Sequence, residues 1–138
     1  MKRKLAIIGA SYLQKPLVEK AREMGLETHI FAWEEGAVCK NIGDYFYPVS
    51  IREIDTILEQ CKKIKPTGIV SIGSDLAMIA VNTIAHELGL IGNSIESTEL
   101  STNKYVMRLC LSDAGIECPK YVKYSKELYE DNLKGMYF

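Results

Sequence analysis

Two glycine-containing turns hold the residues of this sequence that are best placed to do chemistry. Gly9-Ala10-Ser11 and Gly73-Ser74-Asp75 each follow a short apolar run and precede an amphipathic segment. Ser11 could cap the helix behind it, and the N-terminus of that helix would attract a carboxylate or a phosphate. Asp75 at the edge of a cleft could orient an amine or a hydroxyl group. Capping of the following helix by Ser74 or Asp75 is an equally good reading of the second turn.

The first turn invites comparison with the dinucleotide-binding fingerprint G-x-G-x-x-G. That fingerprint needs three glycines, so that the backbone approaches the pyrophosphate and the helix packs closely on the strand. Gly9 supplies the first glycine, but Ser11 and Gln14 stand in the places of the second and third. Glu34 could bind a ribose, although it lies in an acidic loop and is as easily a solvated charge. The two missing glycines argue against the binding of NAD(P), which stays an alternative.

The remaining reactive side chains do not form a recognisable site. Four cysteines are present, and no pair has C-x-x-C spacing. Cys61 and Cys110 fall on the apolar faces of predicted helices and are expected to be core thiols, whereas the state of the two loop cysteines is open. His29 and His86 are far apart and have no acidic or cysteine cluster nearby, so they are predicted to be structural. We therefore predict no metal site and no catalytic residue in this chain.

The hydrophobic pattern predicts strands and helices in alternation, which would bring the two turns to one edge of a sheet. Such an α/β pattern with short links predicts a parallel sheet covered by helices on both faces. Ligands of these sheets bind beyond the carboxyl ends of the strands, near the switch in strand order. The predicted strands are 4–9, 27–33, 45–49, 68–72 and a short fifth at 90–92, with helices over 13–24, 54–64 and 76–88.

The sequence changes character after Gly92. A short helix and a longer one from about Asn103 to Ala114 are expected, with a further strand at 121–124.

The charge and the N-terminal sequence exclude further classes of function. The formal net charge is −1 over 138 residues with both signs interspersed, which favours neither a nucleic-acid groove nor a membrane-binding face. The apolar run after the basic N-terminus is too short for a signal peptide, so a cytoplasmic protein is expected.

Four segments together resemble the N-terminal part of ATP-grasp enzymes, nearest to carbamoyl-phosphate synthase large-subunit-like proteins. Biotin carboxylase and the purine-pathway ATP-grasp ligases are relatives of that group. The resemblance covers about residues 4–124 and is most specific from Gly92 to Pro119. The segments are "KLAIIGASYLQKPLVEKAREMGLETHIF", "GDYFYPVSI", "GIVSIGSDLAMIAVNTIAHELGL" and "IGNSIESTELSTNKYVMRLCLSDAGIECPKY".

The resemblance implies a Rossmann-like pre-ATP-grasp domain over residues 1–92. A helical linker and the beginning of an ATP-grasp domain would occupy residues 93–138. It further implies ATP-dependent ligation, in which a carboxylate is activated as an acyl phosphate and captured by an amine or another nucleophile. The strand-end loops would form part of the small-molecule substrate site through Gly9, Ala10, Ser11, Ser74 and Asp75.

Lys104 matches the lysine that precedes the long helix in this family and that often reaches the nucleotide. A lysine there can pair with phosphate as a point charge, although a solvated lysine at a helix start is the plain alternative. Asn103 stands where the family often has aspartate, a change that is compatible with a helix cap.

The resemblance also implies what this chain should lack. The lobes that clamp ATP and hold Mg²⁺ would follow Phe138, so the 138 residues are expected to be a truncated form, inactive alone and without tight binding of ATP or Mg²⁺. Two alternatives stay open: a nucleotide-binding module of a redox enzyme, and a non-catalytic domain that binds a small ligand or dimerises. A homodimer is compatible with the family.

Overall fold

Four parallel strands form a single sheet in the computed structural model, which describes residues 2–123. Each pair of neighbouring strands is parallel, as the alternation of strands and helices predicts. The strands are β1 (Lys4–Ile8), β2 (Glu27–Ala32), β3 (Tyr45–Pro48) and β4 (Gly68–Val70), in the order β3-β2-β1-β4. The helices are α1 (Lys15–Glu23), α2 (Ile54–Ile64), α3 (Asp75–Glu87), α4 (Ile95–Thr102) and α5 (Lys104–Asp113).

Helices cover both faces of the sheet, because successive side chains of the central strand β1 point to opposite sides. Ile7 packs with Val18 of α1 on one face. Ala6 and Ile8 belong to the core on the other face, which α2 and α3 cover. The side chains of Ala6, Ile7 and Ile8 are all fully buried, so this part of β1 is apolar on both faces of the sheet. The predicted α/β sheet with helices on both faces is confirmed.

The predicted fifth strand at 90–92 is wrong. After α3 the chain turns back, and the Leu90 N–H donates to the Ala85 carbonyl at 2.8 Å. The next residues then cross the surface of α3 on their way to α4. The approach at Gly92 is so close that an added methyl group would lie 2.8 Å from Cβ of Ala85. Packing against the helix therefore replaces pairing with the sheet.

One buried asparagine joins α3 to the segment that follows it. Asn82 is 2% exposed; its Nδ2 donates to Thr98 Oγ1 at 2.9 Å and its Oδ1 accepts from the Asn93 N–H at 3.1 Å. The Thr98 hydroxyl donates in turn to the Ser94 carbonyl. A polar side chain in the apolar core is satisfied in this way and fixes where α4 sits.

The helices predicted after residue 92 are present, and Asn103 caps α5 by accepting from the N–H groups of Tyr105 and Val106 at 3.2 and 3.3 Å. Residues 121–123 form no strand, and the rest of that predicted strand lies outside the described residues. Among residues 2–123, no helix is long and apolar enough to cross a membrane.

The two cysteines predicted in the core behave differently. Cys61 is fully buried on α2, where burial raises the pKa of its thiol to about 11. Cys110 is exposed, and the prediction for it is wrong. The reason is the position of α5, which packs on α4 and not on the sheet and buries none of its own residues. The periodicity of α5 correctly predicts an amphipathic helix, but it does not show whether the apolar face of that helix packs on the buried core.

Asp44, just before β3, should make stability depend on pH. Its Oδ2 accepts from the N–H and Oγ1–H of buried Thr28 at 2.8 and 2.9 Å, and the backbone hydrogen bond is the main cause of a lowered carboxyl pKa. A depressed pKa adds stability above the usual carboxyl range near 4, which is lost as pH falls through the lowered value. Because Asp44 is exposed, the contribution should be about 1 kcal/mol.

Urea unfolding at pH 7 and pH 3 tests this expectation. Asp44→Asn should reduce the difference in unfolding free energy between the two pH values. Thr28→Val keeps the N–H donor and loses the hydroxyl, so it should reduce the difference by a smaller amount. An Asp44→Asn profile as steep as that of the wild type would contradict the assignment.

Candidate functional site

The strand order places the two glycine-containing turns beside each other. β2 lies on one side of β1 and β4 on the other, so the chain leaves β1 and β4 at the point where the order reverses. The loops that follow these strands diverge there and open a crevice beyond their carboxyl ends. Ser71 closes the base of the crevice, since its Oγ donates to the Ile8 carbonyl at 2.6 Å.

A pocket of about 290 Å³ lies in this crevice. Both turns line it, so the structure brings together four of the five residues predicted to bind substrate. Asp75 is the exception and lines a neighbouring groove. The lining residues of the pocket are Ile8, Gly9, Ala10, Ser11, Leu13, Gln14, Ile51, Gly73, Ser74 and Ala77.

Gln14 connects the two turns and was not singled out as a site residue from the sequence. Its side chain is almost fully buried, at 3% exposure. The Nε2 donates to the Ile72 carbonyl at 2.6 Å, across 58 residues of chain. The Oε1 accepts from the N–H of Ser11 at 3.0 Å and from its hydroxyl at 2.6 Å. One amide therefore fixes the distance between the loop after β1 and the loop after β4.

Both turns require their glycine. Gly9 and Gly73 have φ angles of +99° and +68°, which side-chain-bearing residues rarely adopt. A methyl group at Gly9 would lie 3.2 Å from the Gln14 carboxamide carbon, and one at Gly73 would lie 3.2 Å from Leu13 Cδ1. The glycines thus let Gln14 and Leu13 close over the turns.

The two serines have different local roles. Ser74 caps α3 as expected, since its Oγ accepts from the Ala77 N–H at 3.2 Å. Ser11 does not cap α1, and that prediction is wrong. A turn over residues 11–14 separates Ser11 from the helix, whose N-cap position is Gln14. The Ser11 hydroxyl instead donates to Gln14 and accepts from the Leu13 N–H at 3.3 Å.

Cys39 supports the first turn from behind. Its N–H donates to the Ala10 carbonyl at 3.0 Å, and its Sγ lies 3.4 Å from the Ser11 carbonyl oxygen. The side chain is fully buried, and burial raises the pKa of the thiol. A protonated thiol in this position acts as a weak hydrogen-bond donor that holds the turn in place.

The predicted nucleotide lysine reaches the predicted substrate aspartate. Lys104 Nζ lies 2.8 Å from Asp75 Oδ2, which joins the first turn of α5 to the first turn of α3. Their side chains are 61% and 64% exposed, so the ion pair adds little stability and can exchange with other charges. Asp75 also lines an apolar groove of about 600 Å³ between α3 and α4.

Within the described part of the chain, no group of three or more His, Cys, Asp or Glu side chains is arranged to hold a metal ion. His29 is buried and contacts Tyr47 Oη at 3.0 Å and Glu27 Oε1 at 2.9 Å, on the sheet and away from the crevice. His86 is exposed. The polar groups of the pocket are two serine hydroxyls and one amide, and the Asp75–Lys104 pair adds a carboxylate and a lysine beside it.

Comparison with known proteins shows which proteins share this fold. No family model matches the sequence. Formate-dependent phosphoribosylglycinamide formyltransferase from Prochlorococcus marinus (strain MIT 9515) is 24% identical over 109 residues, which are 78% of this chain and 28% of that protein. The solved structures include phosphoribosylglycinamide synthetase from Anaerococcus prevotii, with a TM-score of 0.78 at 19% identity over all of this chain and 36% of that one.

A third relative extends the comparison beyond enzymes named for phosphoribosylglycinamide. L-amino acid ligase from Bacillus licheniformis matches with a TM-score of 0.73 at 19% identity, over 89% of this chain and 36% of the ligase. These proteins are ATP-grasp ligases, and this chain has the fold of their N-terminal domain. The resemblance to the N-terminal part of ATP-grasp enzymes is thereby confirmed for the fold, and the nearer likeness to carbamoyl-phosphate synthase large-subunit-like proteins stays a prediction. The chain spans about a third of the length of the relatives it matches.

Proposed function

We propose that this chain is the front, substrate-side part of an ATP-dependent ligase. In the complete protein a carboxylate would attack the γ-phosphate of ATP and release ADP. The resulting acyl phosphate would then be captured by an amine or another nucleophile, with release of phosphate. The fold shared with ATP-grasp ligases supports the use of ATP. The proposal places the protein in the cytoplasm.

The observation that carries the proposal is the contact between Lys104 and Asp75. The family resemblance implies different ligands for these two residues, the nucleotide for Lys104 and the substrate for Asp75. The 2.8 Å ion pair puts them side by side at the N-terminal end of α3, whose capping residue Ser74 lines the strand-end pocket. A transferred phosphoryl group must lie close to both ligands, so this proximity is what a ligase site requires.

Each site residue then has a role. Gly9, Ala10, Ser11 and Ser74 shape the pocket that holds one end of the substrate, and Asp75 orients its amine or hydroxyl. Lys104 exchanges Asp75 for a phosphate of ATP when the nucleotide binds. Mg²⁺ would neutralise the phosphate charges during transfer, and its ligands belong to other parts of the complete protein. We propose residue 92 as the boundary between pocket domain and linker, with weak nucleotide binding by this chain alone.

The relatives suggest a type of substrate. One is named for a ligase of L-amino acids and others for phosphoribosylglycinamide, so carboxylate–amine ligation is the reaction that we propose for this protein. A partner that is a small molecule, and not a nucleic acid or a membrane, is consistent with the near-neutral charge. We further propose a homodimer, a state that is compatible with the family.

Trapping of the acyl phosphate tests the proposal. The complete protein is incubated with Mg²⁺-ATP, a panel of carboxylates and hydroxylamine, which displaces phosphate from an acyl phosphate to give a hydroxamate. We expect hydroxamate and ADP to form together with at least one carboxylate, and neither to form when EDTA removes Mg²⁺. Saturable quenching of NADH fluorescence without any ATP-dependent hydroxamate would instead favour the dinucleotide-binding alternative.

A further inference from the structure

Resting on the proposed ligase function, we infer that the strand-end pocket receives a small, uncharged part of the substrate that carries no phosphate. Gln14 makes this selection. Gln14 does not touch the reacting atoms. It positions the two turns, and it accepts the hydrogen bonds of donors that a phosphate would need.

The lining of the pocket supports the uncharged ligand. None of the described residues that line it carries a formal charge, and its walls combine aliphatic side chains with two serine hydroxyls and one amide. A phosphate buried here would find no cation to offset its loss of hydration. The volume of about 290 Å³ equals that of about ten water molecules, which suits a short aliphatic or hydroxyl-bearing group.

Both Ser11 donors of the first turn are already engaged. In turns that bind phosphates, backbone N–H groups point at the ligand. Here the N–H and the hydroxyl of Ser11 both point at Gln14 Oε1, at 3.0 and 2.6 Å. The Gln14 carboxamide also lies against Gly9, over the backbone that the glycine would otherwise leave open. The Oε1 atom of Gln14 therefore takes the position in which an anion would accept hydrogen bonds from Ser11.

Displacing Gln14 would be costly because the side chain is buried and both ends of its amide are hydrogen-bonded. Its departure would leave the Ile72 carbonyl without the 2.6 Å hydrogen bond and would separate the two loops. A phosphate-bearing substrate would have to meet that cost before binding. The name of one relative, phosphoribosylglycinamide formyltransferase, indicates a substrate that carries a phosphate. The pocket of this chain is not suited to such a group.

Two probes with ¹⁵N-labelled protein test the inference without ATP, so its failure is distinct from failure of the ligase proposal. Isopropanol serves as the neutral probe, and inorganic phosphate, which is small enough for the pocket, as the anionic one. We expect isopropanol to shift the amide resonances of Ser11, Ser74 and Ala77, and phosphate to leave them unchanged. A saturable response of these amides to phosphate, or none to isopropanol, would overturn the assignment of the pocket.

The role of Gln14 is tested with Gln14→Ala, which frees the donors of Ser11. This variant should bind phosphate at the first turn at least about tenfold more tightly than the wild type, a change of about 1.4 kcal/mol. The matched control is Gln60→Ala on α2, which should respond to both probes as the wild type does. Equal phosphate responses in Gln14→Ala and wild type would refute selection by Gln14.

Gln14→Glu provides a second variant in case the alanine variant does not fold. It keeps the size of the side chain and the acceptor for Ser11, but it cannot donate to the Ile72 carbonyl. Amide exchange at residues 72–74 should then become faster, while phosphate is still excluded. Unchanged exchange in this segment would show that the amide does not hold the two turns together.

Discussion

Replacing Lys104 by alanine should weaken the apparent affinity of the complete protein for ATP by about tenfold to a hundredfold. A hydrogen bond between charged groups contributes about 1.5–3 kcal/mol, and each 1.4 kcal/mol is tenfold in affinity. Among the residues that the structure describes, the largely exposed Lys104 pairs with the exposed Asp75 carboxylate, and this surface ion pair can exchange for one with a phosphate. Stability should hardly change. The measurement is the KM for ATP in the hydroxamate assay, together with thermal unfolding.

Two further variants isolate the position and the charge of this lysine. Lys62→Ala removes a lysine from a similarly exposed ion pair, with Glu59 at 2.7 Å on α2, and should leave the KM unchanged. Asp75→Asn releases Lys104, so nucleotide affinity should stay equal or improve even if substrate binding suffers. A Lys104→Ala enzyme with wild-type KM for ATP would remove this residue from the nucleotide site.

Replacing Asn82 by alanine should produce the largest loss of stability among the variants considered, about 2–3 kcal/mol. The change deletes hydrogen bonds to Thr98 Oγ1 and to the Asn93 N–H in a buried setting, where unpaired polar groups cost about 1–3 kcal/mol each. For a chain of this size the melting temperature should fall by roughly 10 °C. Amide exchange should rise most in α4, because Asn82 is its buried polar link to α3.

Asn41→Ala is the control for this prediction. Asn41 is exposed in the loop between β2 and β3, and its replacement should change the unfolding free energy by less than about 0.5 kcal/mol. If Asn82→Ala were as stable as Asn41→Ala, α4 would have to be held by apolar packing alone.

Much of the fold is predictable because its signals are local. Alternating apolar runs give four of the six predicted strands and all five helices, and Ser74 and Asn103 cap their helices as expected. The errors arise where tertiary packing decides. Residues 90–92 are apolar enough for a strand, yet the short turn after α3 directs them onto that helix. Cys110 follows helical spacing on a helix that lies beyond the core.

The location of the candidate site is predictable from the sequence, but the side-chain contacts that build it are not. Parallel strands and the switch in strand order bring the turns after β1 and β4 together, as the sequence indicates. The sequence marks Gln14 only as a departure from the third glycine of the fingerprint, which does not indicate a role in the site. Its hydrogen bond to the Ile72 carbonyl spans 58 positions, and no local pattern encodes such a contact. The pairing of Lys104 with Asp75 was equally invisible, since the two residues are 29 positions apart.

The most direct test of the central claim is a crystal structure of the complete protein with ADP and Mg²⁺. We expect Lys104 Nζ to leave Asp75 and to lie within hydrogen-bond distance of a phosphate oxygen. We also expect Gln14 to stay between the two turns. A nucleotide whose phosphates rest on the Gly9 turn, with Gln14 displaced and Lys104 still on Asp75, would contradict both the assigned roles and the proposed function.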